Sequence, residues 1–146
     1  MTSQNLRLSH GLAYASPIFI TMFLHYPVQL LLAGIYAKYF GLALTTIASI
    51  VFAARLFDAV TDPLIGYLSD RVHAKTGTRK PWIVIGSLGI VVSSYFLYSP
   101  PSPVGASYFL LWYFAFYLFF TMVDIPHMAW GSELAVNSQD TTRIYS

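Results

Sequence analysis

The chain of 146 residues contains no cysteine. Disulfide frameworks and cysteine-based metal sites are excluded, while the redox compartment stays open. Charge is also scarce: only 10% of residues are Asp, Glu, Lys or Arg, and the formal net charge is +2. So small and scattered a surplus does not describe a nucleic-acid surface. The chain further lacks a Gly-x-Ser-x-Gly elbow, a phosphate-binding Gly-x-x-x-x-Gly-Lys loop and a His-Glu-x-x-His metal helix. Nothing in it argues for an enzyme. No internal repeat stands out.

What the chain has is apolar surface. Hydrophobic residues make up 56% of it, and the mean hydropathy is +0.59. That is the composition of a membrane protein. Four apolar runs, at about 12–36, 42–68, 82–98 and 108–130, each approach the roughly 20 residues a helix needs to cross about 30 Å of hydrocarbon. Arg7 before the first run raises the alternative of a signal peptide, but the run exceeds the usual span of about 7–15 apolar residues and three similar runs follow. The reading is a retained span.

The runs lack the short alternation of barrel strands, so the expected fold is all-α and polytopic, with about four transmembrane helices. Aromatics form 17% of the chain, and Tyr36, Tyr39, Phe40, Trp82, Tyr98 and Trp130 fall near span ends, where an interfacial belt belongs. Arg71, Lys75, Arg79 and Lys80 cluster between the second and third spans, Arg7 precedes the first, and Arg143 follows the fourth; the opposite side offers only Lys38. The N-terminus and the loop at about 70–81 are expected in the cytoplasm. The segment 99–105 is expected to be a tight uncharged connector.

Three ionisable residues, Arg55, Asp58 and Asp62, interrupt the second apolar run. At about 100° per residue they lie within about 60° of one another on one helical face. Charges at mid-membrane cost about 2.5–3.5 kcal/mol each even on a lenient insertion scale, so a stripe of three needs partners, water or a function. The trio sums to one negative charge, which suits one monovalent cation or a bound proton. A fixed ion-pair network, or hydration near the cytoplasmic interface, would account for the same trio.

Pro63 and Pro126 each follow closely on an acid, Asp62 and Asp124, and each frees the carbonyl four residues earlier, on Ala59 and Met122. Such oxygens can ligate a cation in broken transporter helices, or the prolines can simply bend the helices for packing. In the fourth run Thr121, Asp124 and His127 recur every three residues and so share a face. Thr121 offers a neutral oxygen and Asp124 a charged acceptor for a polar ligand's hydroxyls. His127, near the membrane boundary, suits a satisfied polar residue better than a proton relay. In the first run Thr21, His25 and Gln29 recur every four residues, which fits either a polar pathway or interhelical hydrogen bonding.

Three blocks in order carry a family resemblance: residues 54–66 (ARLFDAVTDPLIG), Ser69-Asp70-Arg71 through Gly77-Thr78-Arg79-Lys80-Pro81-Trp82, and residues 121–126 (TMVDIP). Together they resemble the glycoside-pentoside-hexuronide:cation symporters of the major facilitator superfamily, the melibiose permease-like transporters. The resemblance covers most of the chain after about Gly41. It implies a twelve-helix fold in two six-helix halves, of which residues 1–146 are the N-terminal part, with substrate bound at the interface of the halves. The chain would then be truncated, its partner being the C-terminal remainder of its own protein.

The resemblance further implies that Asp58 and Asp62 are the carboxylates of the cation site and Thr121 an additional oxygen ligand, a metal site if the coupling ion is sodium. Asp124 would be the sugar-recognising acid, while Arg55 is the charge partner on the charge count alone, offsetting one carboxylate. Gly66, Asp70, Arg71, Gly77, Arg79 and Lys80 would form the cytoplasmic loop motif that helps hold that side closed; Lys75 and Lys80 also satisfy the positive-inside bias without any other role. One departure concerns solute recognition: the melibiose permease-like pattern includes a second sugar-binding acid on the first helix, whereas this chain has no Asp or Glu before Asp58.

The expected activity is alternating-access symport of a sugar, glycoside or related polar solute with sodium or a proton, and no cofactor. A bacterial inner membrane is the expected location. A cation-independent carrier on the same fold, or a non-transporting receptor or scaffold, are the alternatives.

Overall fold

The computed structural model describes Phe19 and residues 22–137, with side chains described as far as Ala129. The remainder of the first apolar run before residue 22, Arg7, Thr21, Arg143 and the side chain of Trp130 lie outside the described residues. Every described element is a helix: α1 at residues 22–30, α2 at Leu32–Phe40, α3 at Leu44–Thr76, α4 at Lys80–Tyr98 and α5 at Ala106–Asn137. The first two are nearly one helix. Leu31 donates to the carbonyl of Pro27 at 2.9 Å and Ile35 to that of Leu31 at 3.0 Å, so backbone pairing runs through the junction.

Three helices, Leu44–Thr76, Lys80–Tyr98 and the Ala106–Ala129 part of α5, are long and apolar enough to cross a membrane. They coincide with the second, third and fourth expected spans. The chain is an integral, multi-pass membrane protein. Along α3 the exposed Phe52, Leu56, Val60 and Leu64 recur every four residues. This apolar stripe suits lipid or neighbouring helices, not water.

The second connection is shorter than the sequence reading expected. A loop at about 70–81 is replaced by a helix that runs to Thr76, leaving three residues before α4 begins at Lys80. At 33 residues and about 1.5 Å each, α3 is roughly 50 Å long. It outruns the hydrocarbon, and its polar last turns need no loop because the helix satisfies their backbone. Gly77 stops it, adopting φ 70° and returning its N–H to the carbonyl of His73 at 2.8 Å. A left-handed residue after the last turn favours glycine, which has no Cβ to clash. Pro81 sits in the first turn of α4, where a missing N–H costs nothing.

The connector at 99–105 is as expected, with α4 ending at Tyr98 and α5 starting at Ala106. Exposed Thr76 and Ser102 therefore stand at opposite ends of α4. Cysteines placed singly at these two positions in this cysteine-free segment should be labelled from opposite membrane faces, Thr76 from the cytoplasm; labelling of both by an impermeant external reagent would reverse that conclusion.

Helix α5 is the hub. It packs most extensively against α4 and also against α3. Tyr36 of α2 is fully buried, donates its hydroxyl to the carbonyl of Leu97 on α4 at 2.9 Å, and packs tilted against Phe109 of α5 with ring centroids 4.5 Å apart. Rings on α5 receive α1: His25 lies 4.3 Å from Phe120 and 5.5 Å from Tyr117, centroid to centroid. Thus α1, α3 and α5 meet around a common space.

Candidate functional site

Polar side chains from three helices close around a pocket of about 130 Å³. Helix α3 contributes Arg55, Asp58 and Asp62, α5 contributes Tyr117, Phe120, Thr121, Asp124 and Ile125, and α1 contributes His25. The α3 residues reach it together because offsets of three and seven bring side chains back to one face of a helix. The same rule brings Tyr117, Thr121 and Asp124 to one face of α5.

Arg55 is tied to both helices. Its Nη1 lies 3.3 Å from Oδ2 of Asp58, and its Nη2 donates to the Tyr117 hydroxyl at 3.0 Å. The guanidinium also sits 4.5 Å from the centre of the Tyr117 ring. Arginine on an aromatic face gains from the ring quadrupole, more so where water is excluded. Tyr113 extends the chain by donating its hydroxyl to that of Tyr117 at 3.3 Å. The one charge of Arg55 is thus spent on Asp58 and Tyr117.

The carboxylates keep unused capacity. Oδ1 of Asp58 and Oδ1 of Asp62 are both buried without a hydrogen-bond partner. Thr121, 7% exposed, donates its proton to the carbonyl of Tyr117 at 3.0 Å. Its lone pairs remain for another group. An orphaned buried acceptor costs about 1–3 kcal/mol, more when charged. A cluster of such acceptors is what a hard cation or a proton would satisfy.

Not every expected site residue joins this pocket. Ala59 and Met122, the carbonyls that Pro63 and Pro126 were expected to free, are not among the lining residues, and α3 and α5 continue as helices through both prolines. His127 is buried at 2% exposure and does not line the pocket. Gln29 is exposed, whereas His25, four residues earlier, lines it. Among the described residues no cluster of three His, Cys, Asp or Glu has the arrangement of a metal site, so any ion here would rest on two carboxylates and neutral oxygens.

Tyr117 and Phe120 were missed by the sequence reading. The signal was present, since Tyr117 stands four residues before Thr121 and Phe120 four before Asp124. An aromatic in an apolar run simply reads as lipid-facing or core.

At the α3–α4 turn Arg79, with its side chain 9% exposed, donates to Asp70 at 2.8 Å. Lys80 donates its backbone N–H to Thr78 Oγ1 at 3.2 Å. The expected motif residues Asp70, Gly77, Arg79 and Lys80 therefore shape one tight turn. Arg71 is exposed on the last turns of α3, and Gly66 faces α5, where an added Cβ would meet Ile125 at 3.7 Å.

Residues 13–146 match the family described as MFS/sugar transport protein. Among curated proteins the chain is 31% identical over 120 residues to the inner membrane symporter YicJ of Escherichia coli, covering 80% of this chain and 26% of that protein. It is 30% identical over 120 residues to the putative glycoside/cation symporter YagG of the same organism, with the same coverage of 80% and 26%. It is also 36% identical over 99 residues to the human sodium-dependent lysophosphatidylcholine symporter 1, covering 64% of this chain and 18% of that protein. No solved structure matches the chain significantly. The chain spans a third or less of the length of these curated relatives: 33% of the uncharacterized symporter YnaJ of Bacillus subtilis, over which it is 26% identical. With the helical fold, the three motif blocks and this match in agreement, the chain belongs to the MFS/sugar transport family, within the glycoside-pentoside-hexuronide:cation symporters of the major facilitator superfamily.

Proposed function

We propose that this chain carries the cation site and part of the solute site of a symporter for a sugar, glycoside or related polar solute, coupled to sodium or a proton. The observation that carries the reading is the convergence of Asp58, Asp62, Thr121 and Asp124 on one pocket, with two buried carboxylate oxygens left without partners. Asp58, Asp62 and Thr121 take the cation. Asp124, on the same face of α5 one turn from Thr121, accepts hydrogen bonds from the solute's hydroxyls. Arg55, held by Tyr117, neutralises one carboxylate and leaves room for one positive charge.

In this mechanism the cation relieves repulsion among the acids and fixes their rotamers, so that Asp124 is preset for the solute. The rest of the solute wall, and the half against which this one rocks, come from the remainder of the protein. A bacterial inner membrane, with the α3–α4 turn on the cytoplasmic side, is the location this reading carries. The names of relatives give a glycoside with a cation for one and lysophosphatidylcholine with sodium for another, and the polar pocket favours the glycoside-like cargo here over a lipid.

The test is linkage. In purified full-length protein the cation should tighten solute binding by the factor with which the solute tightens cation binding, about 5–150-fold for typical couplings of about 1–3 kcal/mol. Asp124→Asn should weaken solute binding by about tenfold or more while changing cation affinity much less, because it removes a charged acceptor aimed at the solute. Solute affinity that is indifferent to sodium and to pH would move the protein to the cation-independent carriers, with the acids as structural ion-pair partners.

A further inference from the structure

No Asp or Glu precedes Asp58 in this chain, and what α1 presents to the pocket is His25. Its ring is held from three sides by α5: tilted on Phe120 at 4.3 Å, edge-on to Tyr117 at 5.5 Å and parallel to Phe116 at 6.3 Å. A side chain gripped this way is preorganised. Yet Nδ1 of that ring is buried without a well-formed hydrogen bond, the one polar side chain of α1 that interacts with the imidazole being Gln29 one turn along. Packing alone explains a ring at this place; it does not explain a ring nitrogen left unsatisfied beside a polar cavity.

The hydrogen-bond inventory of the pocket says what would satisfy it. Thr121 has spent its proton on the backbone of Tyr117, and Arg55 is engaged by Asp58 and Tyr117. Oδ1 of Asp58 and of Asp62 are unused acceptors. Three lining carboxylates against one lining guanidinium leave two net negative charges when His25 is neutral. A monovalent cation would still leave one. Such a pocket requires a ligand rich in donors and repels one carrying its own negative charge.

We propose that His25 is the group of α1 that contacts the solute, and that the site selects neutral polyhydroxylated solutes over their uronate counterparts. One solute hydroxyl pairs with Nδ1 of His25 and another donates to Asp124, so the solute is held between α1 and α5. The imidazole brings no second carboxylate to the solute, and the acids that line the pocket still disfavour an anionic sugar. This rests on the reading of the pocket as the solute site.

The experiment measures equilibrium binding to purified full-length protein in saturating sodium, repeated at acidic pH, with methyl glucoside, methyl galactoside and methyl xyloside as neutral probes and glucuronate and galacturonate as anionic ones. The variants are His25→Phe, which keeps the ring stack and removes the nitrogen, and His25→Asn, which keeps a polar atom near the position of Nδ1. Thermal melting and solute-free sodium binding check that each variant is folded with its acids in place. The expected result is that a neutral probe binds at least about tenfold tighter than the uronates, that His25→Phe loses about tenfold of that affinity, and that His25→Asn retains most of it. If the parent binds a neutral probe and His25→Phe binds it equally well, the role of His25 is overturned while the solute site stands. Uronates binding as tightly as neutral probes overturn the selectivity. If no probe binds the parent although its sodium binding is intact, the solute-site reading fails, and this inference with it.

Discussion

Asp58→Asn and Asp62→Asn proteins will fold and insert but will no longer accumulate solute against its gradient. Asparagine keeps the approximate shape of each side chain and removes one negative charge from a pocket where both acids already have a buried, unpartnered oxygen. With Asp58 neutral, Arg55 retains Tyr117 but loses its ion-pair partner at 3.3 Å. The guanidinium is then a built-in competitor for the remaining carboxylates, and the coupling cation meets one acid fewer and one unneutralised positive charge. Asp62→Asn removes an acid that makes no ion pair with Arg55 among the described contacts, so its whole effect should fall on the cation. Both substitutions should lower cation affinity by at least about tenfold, since a close opposite charge in a partly desolvated site is worth more than one such factor. Energy-independent solute exchange should be affected less than uphill uptake. The measurement is uptake into vesicles under an imposed sodium or proton gradient, beside cation titrations of purified protein. Correctly folded variants that still concentrate solute with the parent's cation dependence would make these acids structural.

Gly89→Val is expected to unseat α4 from α5. A Cβ built at Gly89 would clash with Cγ, Cδ1 and Cδ2 of Phe119, the part of the side chain nearest its own helix and least able to move aside. Three residues earlier, a Cβ at Gly86 would meet Val123 at 2.7 Å and the backbone carbonyl of Phe119 at 3.0 Å. These glycines let the helices approach to backbone contact, which is how membrane helices associate where lipid removes the hydrophobic drive between them. Overpacking a tight interface typically costs about 1–3 kcal/mol. Valine adds three carbons where one does not fit, so the effect should reach the upper end of that range. Thermal melting of the full-length protein in detergent should fall by several degrees, at about 2–4 °C per kcal/mol for a domain of moderate size. Gly34, around which an added Cβ meets nothing within 4 Å, is the control. Equal melting of Gly89→Val and Gly34→Val would show that the α4–α5 contact does not depend on these small residues.

Much of the fold was legible along the chain because the relevant physics is local. About 20 apolar residues in succession specify a membrane helix, and the Lys and Arg at 71–80 are the basis for expecting that end in the cytoplasm. The loop was misjudged for a reason just as local: polar residues after the apolar run read as a connection, but α3 carries its charged last turns into water and stops only at Gly77. Of the candidate site, the stripe of Arg55, Asp58 and Asp62 was readable from helical periodicity, as were Thr121 and Asp124. Tyr117 was not, because an aromatic among aromatics is distinguished only by its neighbours, here the guanidinium at 3.0 Å from its hydroxyl.

Three of the spans, and the angular position of each polar group around its own helix axis, could be read along the chain. Whether the polar faces of α3 and α5 look at one another, and which residue α1 adds between them, was decided only by the tertiary structure. Periodicity fixes angles within a helix, but rotation about its axis relative to a neighbour is set by packing. Here that packing is the seat of Phe119 against Gly89, the Tyr36 bond to Leu97, and the rings that hold His25 at the edge of the pocket.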